Sequence, residues 1–137
     1  MTEIIIKGKK ILGGMAAGEA VVSHVPISMV GEIDETNGTV RAKGHELEGM
    51  SIAGKVFIYP ESKGSSAAGI VIKNLSYMKC QPKAIVTVKQ PDPTTIQGII
   101  LANIPTVSQP DKDPLELIKT GDFVEVNATD GIITVKK

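Results

Sequence analysis

A single cysteine, Cys80, stands in a chain of 137 residues that has no tryptophan, two tyrosines and two phenylalanines. One thiol excludes an intramolecular disulfide framework, and it excludes any all-cysteine metal site supplied by this chain alone. So few aromatic rings leave little to stack on bases, as a single-strand nucleic-acid binder requires. Excess charge is missing too: 15 Lys+Arg balance 15 Asp+Glu, whereas a nucleic-acid-binding protein normally carries a basic surplus. No apolar run approaches the ~20 residues that span a bilayer. The opening MTEIIIKGKK places an acid early and has neither a long apolar core nor a cleavage site, which argues against a secretory leader. The expectation is one cytoplasmic domain over residues 1–137, binding neither nucleic acid nor membrane.

What is present changes character along the chain. Up to about residue 60 the sequence reads as short strands punctuated by glycine: Ile4–Ile6, Ile11–Leu12, Ala20–Val22, then an Asn37-Gly38 turn, an extended restart at Thr39-Val40, and the strongest strand at 54–59, stopped by Pro60. From Ser65 the period becomes helical, with Ile70, Val71, Leu75 and Met78 near three- and four-residue spacing. Ala84–Val88 suits a buried, parallel strand. Pro93-Thr94-Thr95 opens a second helix to about Leu101, Ile104–Val107 is a further strand, and Asp113–Lys119 is a short helix with acid first and lysine last. Alternation from Phe123 to Ala128 and from Ile132 to Val135, either side of Asp130-Gly131, predicts a hairpin. The fold class is therefore α/β, a mixed β/β/α arrangement in which a barrel-like or sandwiched portion packs beside an α/β portion.

The chemistry-bearing residues are few. Lys63-Gly64-Ser65-Ser66 joins the strongest strand to the first helix. A glycine and two hydroxyls at a helix N-terminus can cradle an anion or hold an activated serine, or a serine there can simply cap the helix. The segment is not a Walker A loop, and Gly13, Gly14 and Gly18 do not have dinucleotide-loop spacing. Neither His24 nor His45 has neighbours at a metal-ligand spacing, and His45 suits a structural hydrogen-bonding role. Cys80 has no base beside it and reads as inert. Arg41, the sole arginine, is a possible carboxylate or phosphate clamp or a solvated charge. Half an active site on one chain suggests a subunit that completes a site on a partner.

The order Gly18-Glu19-Ala20, Pro26-Ile27-Ser28, Gly31 with Asp34, Gly38, His45 with Leu47 and Gly49, then Gly64-Ser65 resembles the small-subunit, or swivel-domain, family of aconitase X. The resemblance runs from about Gly8 to the closing hairpin and is nearest to the free-standing archaeal members. It implies a swivelling β/β/α domain like the C-terminal domain of aconitases. It also implies a heterodimer with a large catalytic subunit that carries a [4Fe-4S] cluster. The implied reaction removes water from a small phosphorylated substrate, (R)-5-phosphomevalonate, giving trans-anhydromevalonate 5-phosphate in an archaeal mevalonate route to isoprenoids. By the same resemblance Ser65 is the proton acceptor, and Gly64, Ser66 and Lys63 contact substrate. Aconitases place an arginine after the serines, where this chain has Ala67, which disfavours citrate-like substrates. Many bacterial relatives have arginine before Gly-Ser, where this chain has Lys63, a cation of different geometry. Another hydroxy-acid dehydratase, such as one acting on cis-3-hydroxyproline, is the alternative within the family. Outside it, the tail around Gly121–Val126 is similar to mobile phosphohistidine domains, but serine stands where their histidine would be.

Overall fold

The computed structural model describes residues 2–63 and 66–137. Its strands are β1 (Glu3–Lys7), β2 (Lys9–Leu12), β3 (Met15–Val22), β4 (Val56–Tyr59), β5 (Ala84–Thr87), β6 (Thr106–Ser108), β7 (Phe123–Asn127) and β8 (Ile132–Lys136). All eight belong to one sheet, in the order β1-β8-β7-β3-β4-β5-β6-β2. The helices are α1 (Met29–Glu32), a single turn interrupted by the non-helical dihedrals of Val30 and Gly31, then α2 (Ala68–Tyr77), α3 (Pro93–Ala102) and α4 (Pro114–Leu117).

Strand β3 divides the sheet. Met15–Glu19 pair antiparallel with β7, whereas Ala20–Val22 pair parallel with β4. Strands β4 and β5, VFIY and AIVT, are buried at every position, as parallel strands covered on both faces must be. Side chains alternate across a strand, so Phe57, Tyr59 and Ile85 face Ile72, Leu75 and Ile99 of the helices. Val56, Ile58 and Val86 face the other way, against Val124, Val126, Ile133 and Val135 of the antiparallel strands. Three layers result: helices, parallel strands, antiparallel strands.

The two ends of the sheet meet. Strands β1 and β2 are outermost in the order yet are separated in the chain only by Gly8. There the chain passes from β8 to β6, and the Gly8 N–H donates to the Gly131 carbonyl at 2.8 Å. A Cβ at Gly8 would stand 2.7 Å from the Ser108 carbonyl oxygen, closer than packing permits, so the seam requires glycine.

The expected hairpin, the parallel β5 and the two longer helices are present, and the mixed β/β/α class holds. Three expectations change. The β-rich first half is not a separate portion, because β1, β2 and β3 lie in the same sheet as the later strands. Thr39-Val40 makes only isolated bridges, to Ser51 and Ile33, in a loop whose Ile33, Val40, Leu47 and Ile52 are buried on the helix side. Helix α4, expected over Asp113–Lys119, stops at Leu117, so Lys119 lies beyond it and its N–H donates to the Asp122 carboxylate. Asp113 does cap that helix, accepting from the Leu115 N–H at 2.9 Å.

Helices α2 and α3 cross at Gly69 and Gly98. A Cβ on Gly98 would lie 2.7 Å from the Gly69 Cα and carbonyl oxygen, and one on Gly69 would collide with the Thr94 carbonyl. Backbone contact at this crossing draws the beginning of α2 close to that of α3. Gly98→Ala should destabilise the chain by about 1–3 kcal/mol, the usual range for overpacking. A fall in the urea midpoint with the slope of the transition unchanged is the expected result.

Candidate active site

Beyond β4 the chain turns a corner at Pro60–Lys63. Ile27 holds it from the side: the Ile27 N–H donates to the Glu61 carbonyl at 3.1 Å, and the Lys63 N–H donates to the Ile27 carbonyl at 3.0 Å. One step of parallel bridging, Ile27 with Ser62, thus extends the sheet past β4. Lys63 Nζ reaches Glu32 Oε2 at 3.0 Å, and Glu32 Oε1 accepts the Ser28 N–H at 2.7 Å. Partial burial would raise the Glu32 pKa, but the Ser28 N–H and the Lys63 ammonium outweigh it and hold the carboxyl below its usual value. Lys63 therefore belongs to an ion pair at this corner.

Gly64 and Ser65, expected as substrate contact and proton acceptor, lie outside the described residues. Ser66 is exposed in the turn before α2. The capping reading does not apply to Ser66, because the N-cap is Ala67 and no side chain caps the helix from there. The first turn of α2 also contains no acidic residue, so no carboxylate of its own offsets the positive end of its dipole. From Ser66 an open groove of about 270 Å³ runs between α2 and α3, past Ile70, Lys73, Thr94 and Leu101. A larger hollow, about 470 Å³, lies on the antiparallel strands beside Met15, Glu125 and Asn127 and contains none of the expected site residues.

The parallel strands end beneath the corner in hydroxyls. Tyr59, Thr87 and Ser108 are register neighbours on β4, β5 and β6. Burial pushes the Tyr59 phenol up to about 12, with the Ser62 hydroxyl lowering and Asp92 raising it by smaller amounts. Asp92 precedes α3. Burial would raise its pKa, but the hydroxyls of Thr94 and Thr95, donating at 2.5 and 2.6 Å, keep it below the ordinary carboxylate value. The settings of Glu32, Tyr59 and Asp92 at this end were not readable from sequence: each partner is remote in the chain or presents a hydroxyl that any loop could contain.

The remaining candidates have structural surroundings. His45 Nδ1 accepts the Leu47 N–H at 2.9 Å, which leaves Nε2 to donate to Ser23 Oγ at 3.1 Å. Both ring nitrogens are thus engaged within the chain, in agreement with the structural role expected. Cys80 is buried, with its thiol 4.0 Å from the Glu35 carbonyl, and burial raises its pKa. An inert thiol fits that setting. Arg41 is exposed. Among the described residues no three His, Cys, Asp or Glu side chains gather as metal ligands. This donor set, with its one buried thiol, does not fit an iron–sulfur cluster. Among the same residues no helix is long and apolar enough to cross a membrane.

His24 ties the 42–48 loop to α4. Its Nδ1 lies 2.8 Å from Glu46 Oε1 and its Nε2 lies 3.0 Å from the Leu115 carbonyl. Both nitrogens face acceptors, so the charged ring is favoured, and the Glu46 bond chiefly raises its pKa above 6.5. Desolvation would raise Glu46, but the His24 backbone and ring hydrogen bonds hold it below 4.5. The His24 contribution is full below pH 6.5 and is lost as pH rises through its folded value; that of Glu46 is full above pH 4.5 and is lost as pH falls through its folded value. The pair therefore stabilises most between those two limits. Half-exposed side chains keep the effect small. Urea midpoints of the unmodified chain and His24→Ala should differ most within that window and converge above it; a constant difference would contradict the assignment.

The model of the aconitase X swivel domain matches residues 5–135. The phosphomevalonate dehydratase small subunit of Methanosarcina mazei is 39% identical over 137 residues, covering 100% of this chain and 94% of that protein. Its counterpart in Methanocella arvoryzae is 42% identical over 128 residues, 93% of this chain and 96% of that protein. The crystal structure of Thermococcus kodakaraensis aconitase X, in its holo form, superposes with a TM-score of 0.91 at 35% identity, covering 98% of this chain and 99% of that one. With this match along nearly its whole length, the chain belongs to the aconitase X swivel-domain family.

Proposed function

We propose that this chain is the small subunit of a two-chain hydro-lyase, a phosphomevalonate dehydratase that converts (R)-5-phosphomevalonate to trans-anhydromevalonate 5-phosphate and water. The observation that carries the reading is the end-to-end match to archaeal relatives bearing that small-subunit name. The large subunit is the partner, and the complex works in the cytoplasm. Because the donors of this chain do not fit an iron–sulfur cluster, the [4Fe-4S] group of the family is assigned to that large subunit.

In this reading Ser65 accepts a proton from the carbon beside the substrate carboxylate. The electrons of the broken C–H bond form the double bond, and the hydroxyl leaves from the neighbouring carbon. A serine oxygen is a weak base at neutral pH, so its surroundings must favour the alkoxide. In the sequence Ser65 lies between Lys63, whose ammonium is moderated by Glu32, and α2, whose first turn carries no acid. This reading draws the positive potential for the alkoxide from those two. Gly64 and Ser66 contact the substrate, and Ala67, in place of an arginine, offers no clamp for a further carboxylate.

Reconstitution tests the proposal. This chain and its large subunit should each be inactive alone and dehydrate phosphomevalonate together. Ser65→Ala in the complex should lower kcat by about 100- to 10,000-fold, the range typical of losing a general base. Activity from the lone chain, or full activity after Ser65→Ala, would overturn the assignment.

A further inference from the structure

Tyr59, Thr87 and Ser108 stand side by side at the C-terminal ends of β4, β5 and β6, and each is at most 1% exposed. Their hydroxyl oxygens, together with Ser62 Oγ just beyond β4, are buried without a hydrogen-bond partner. Such a group has given up its bonds to water and gained none in exchange, and folded proteins leave few in that condition. The Tyr59 ring is accounted for by packing, since it lies 4.8 Å from the Phe57 ring in the core under the helices. Its oxygen is not. Phenylalanine would fill the same space with no polar atom to desolvate.

The Ser62 hydroxyl is near enough to moderate the Tyr59 phenol, yet the two atoms miss hydrogen-bond geometry. Ser62 belongs to the corner that Ile27 holds, the same corner that carries Lys63 and its bond to Glu32. Along the chain it leads to the proposed base. A small tightening of this corner would satisfy both oxygens at once. We infer that Tyr59 is a positioning residue: in the assembled enzyme its hydroxyl donates to Ser62 Oγ and fixes the 60–63 corner that presents Lys63 and leads into Ser65. The inference rests on the dehydratase reading. It gives the orphaned oxygen a partner in the working state, and Tyr59 acts there through Ser62 without touching substrate.

The test uses the reconstituted complex, phosphomevalonate as substrate, and thermal unfolding of the full chain and of the complex. Because misplacing a reacting group by about 1 Å can lower its rate ~100-fold, Tyr59→Phe should lower kcat about tenfold or more with KM within about twofold, and the unfolding midpoint should stay level or rise. Ser62→Ala should behave alike and carries the test if Tyr59→Phe does not fold. The double variant should be no slower than either single one, because both remove the same bond. Ser108→Ala, two strands from Tyr59, should leave kcat unchanged. Unchanged kcat in Tyr59→Phe and Ser62→Ala, with Ser65→Ala still inactive, would overturn the inference and leave the dehydratase reading standing. So would losses that merely follow a lowered unfolding midpoint, or losses that add in the double variant. Activity persisting in Ser65→Ala would instead remove the reading itself, and the inference with it.

Discussion

The arrangement of this chain depends on β3 changing partners midway. Met15–Glu19 hydrogen-bond to β7 and Ala20–Val22 to β4, so one continuous strand joins an antiparallel layer to a parallel one. The two apolar clusters follow from that junction. One is enclosed between the layers and the other between the parallel strands and the helices. Without the change of partner, β4 and β5 would lose the cover on one face, and their unbroken apolar sequences would have no reason to be buried.

From this junction the position of the candidate site follows. Strands β4, β5 and β6 run parallel, so their C-terminal ends lie together, and the helices that start there cross at glycine contacts close enough to exclude a methyl group. Open α/β sheets place ligands at such strand ends. Here the same end gathers Lys63 with Glu32, Asp92 with its two threonine hydroxyls, and the buried oxygens of Tyr59, Thr87 and Ser108. None of these groups is a metal ligand set. They lie at one end of the parallel strands, in a chain whose family's curated relatives are named as subunits.

Much of this was legible in the sequence where local rules decide. The closing hairpin follows from alternation about Asp130-Gly131, and β4 and β5 follow from β-branched runs that Pro60 and the surrounding polar residues delimit. The glycine-serine corner and the ordered motifs around it led to the family that the whole-chain match bears out. What local rules could not supply is pairing. Met15–Gly18 are small or flexible residues with weak strand preference, and only the presence of β7 makes them the first half of a long strand. The Lys63–Glu32 pair joins positions 31 residues apart, and α2 begins after both serines. A lone hydroxyl at the end of a buried strand looks from sequence like any other core tyrosine.

Counting β1, Gly8 and β2 as one strand turns the linear strand order into a ring: it begins on β8, ends on β6, and β3 mirrors it on the opposite side. Each of these two crossing strands offers its neighbours only part of its length on either flank. Among the described residues, a companion protein therefore meets no long, open row of strand donors and acceptors on which to lay a strand of its own. Side chains and connecting loops are the surface that such a closed arrangement leaves for recognition.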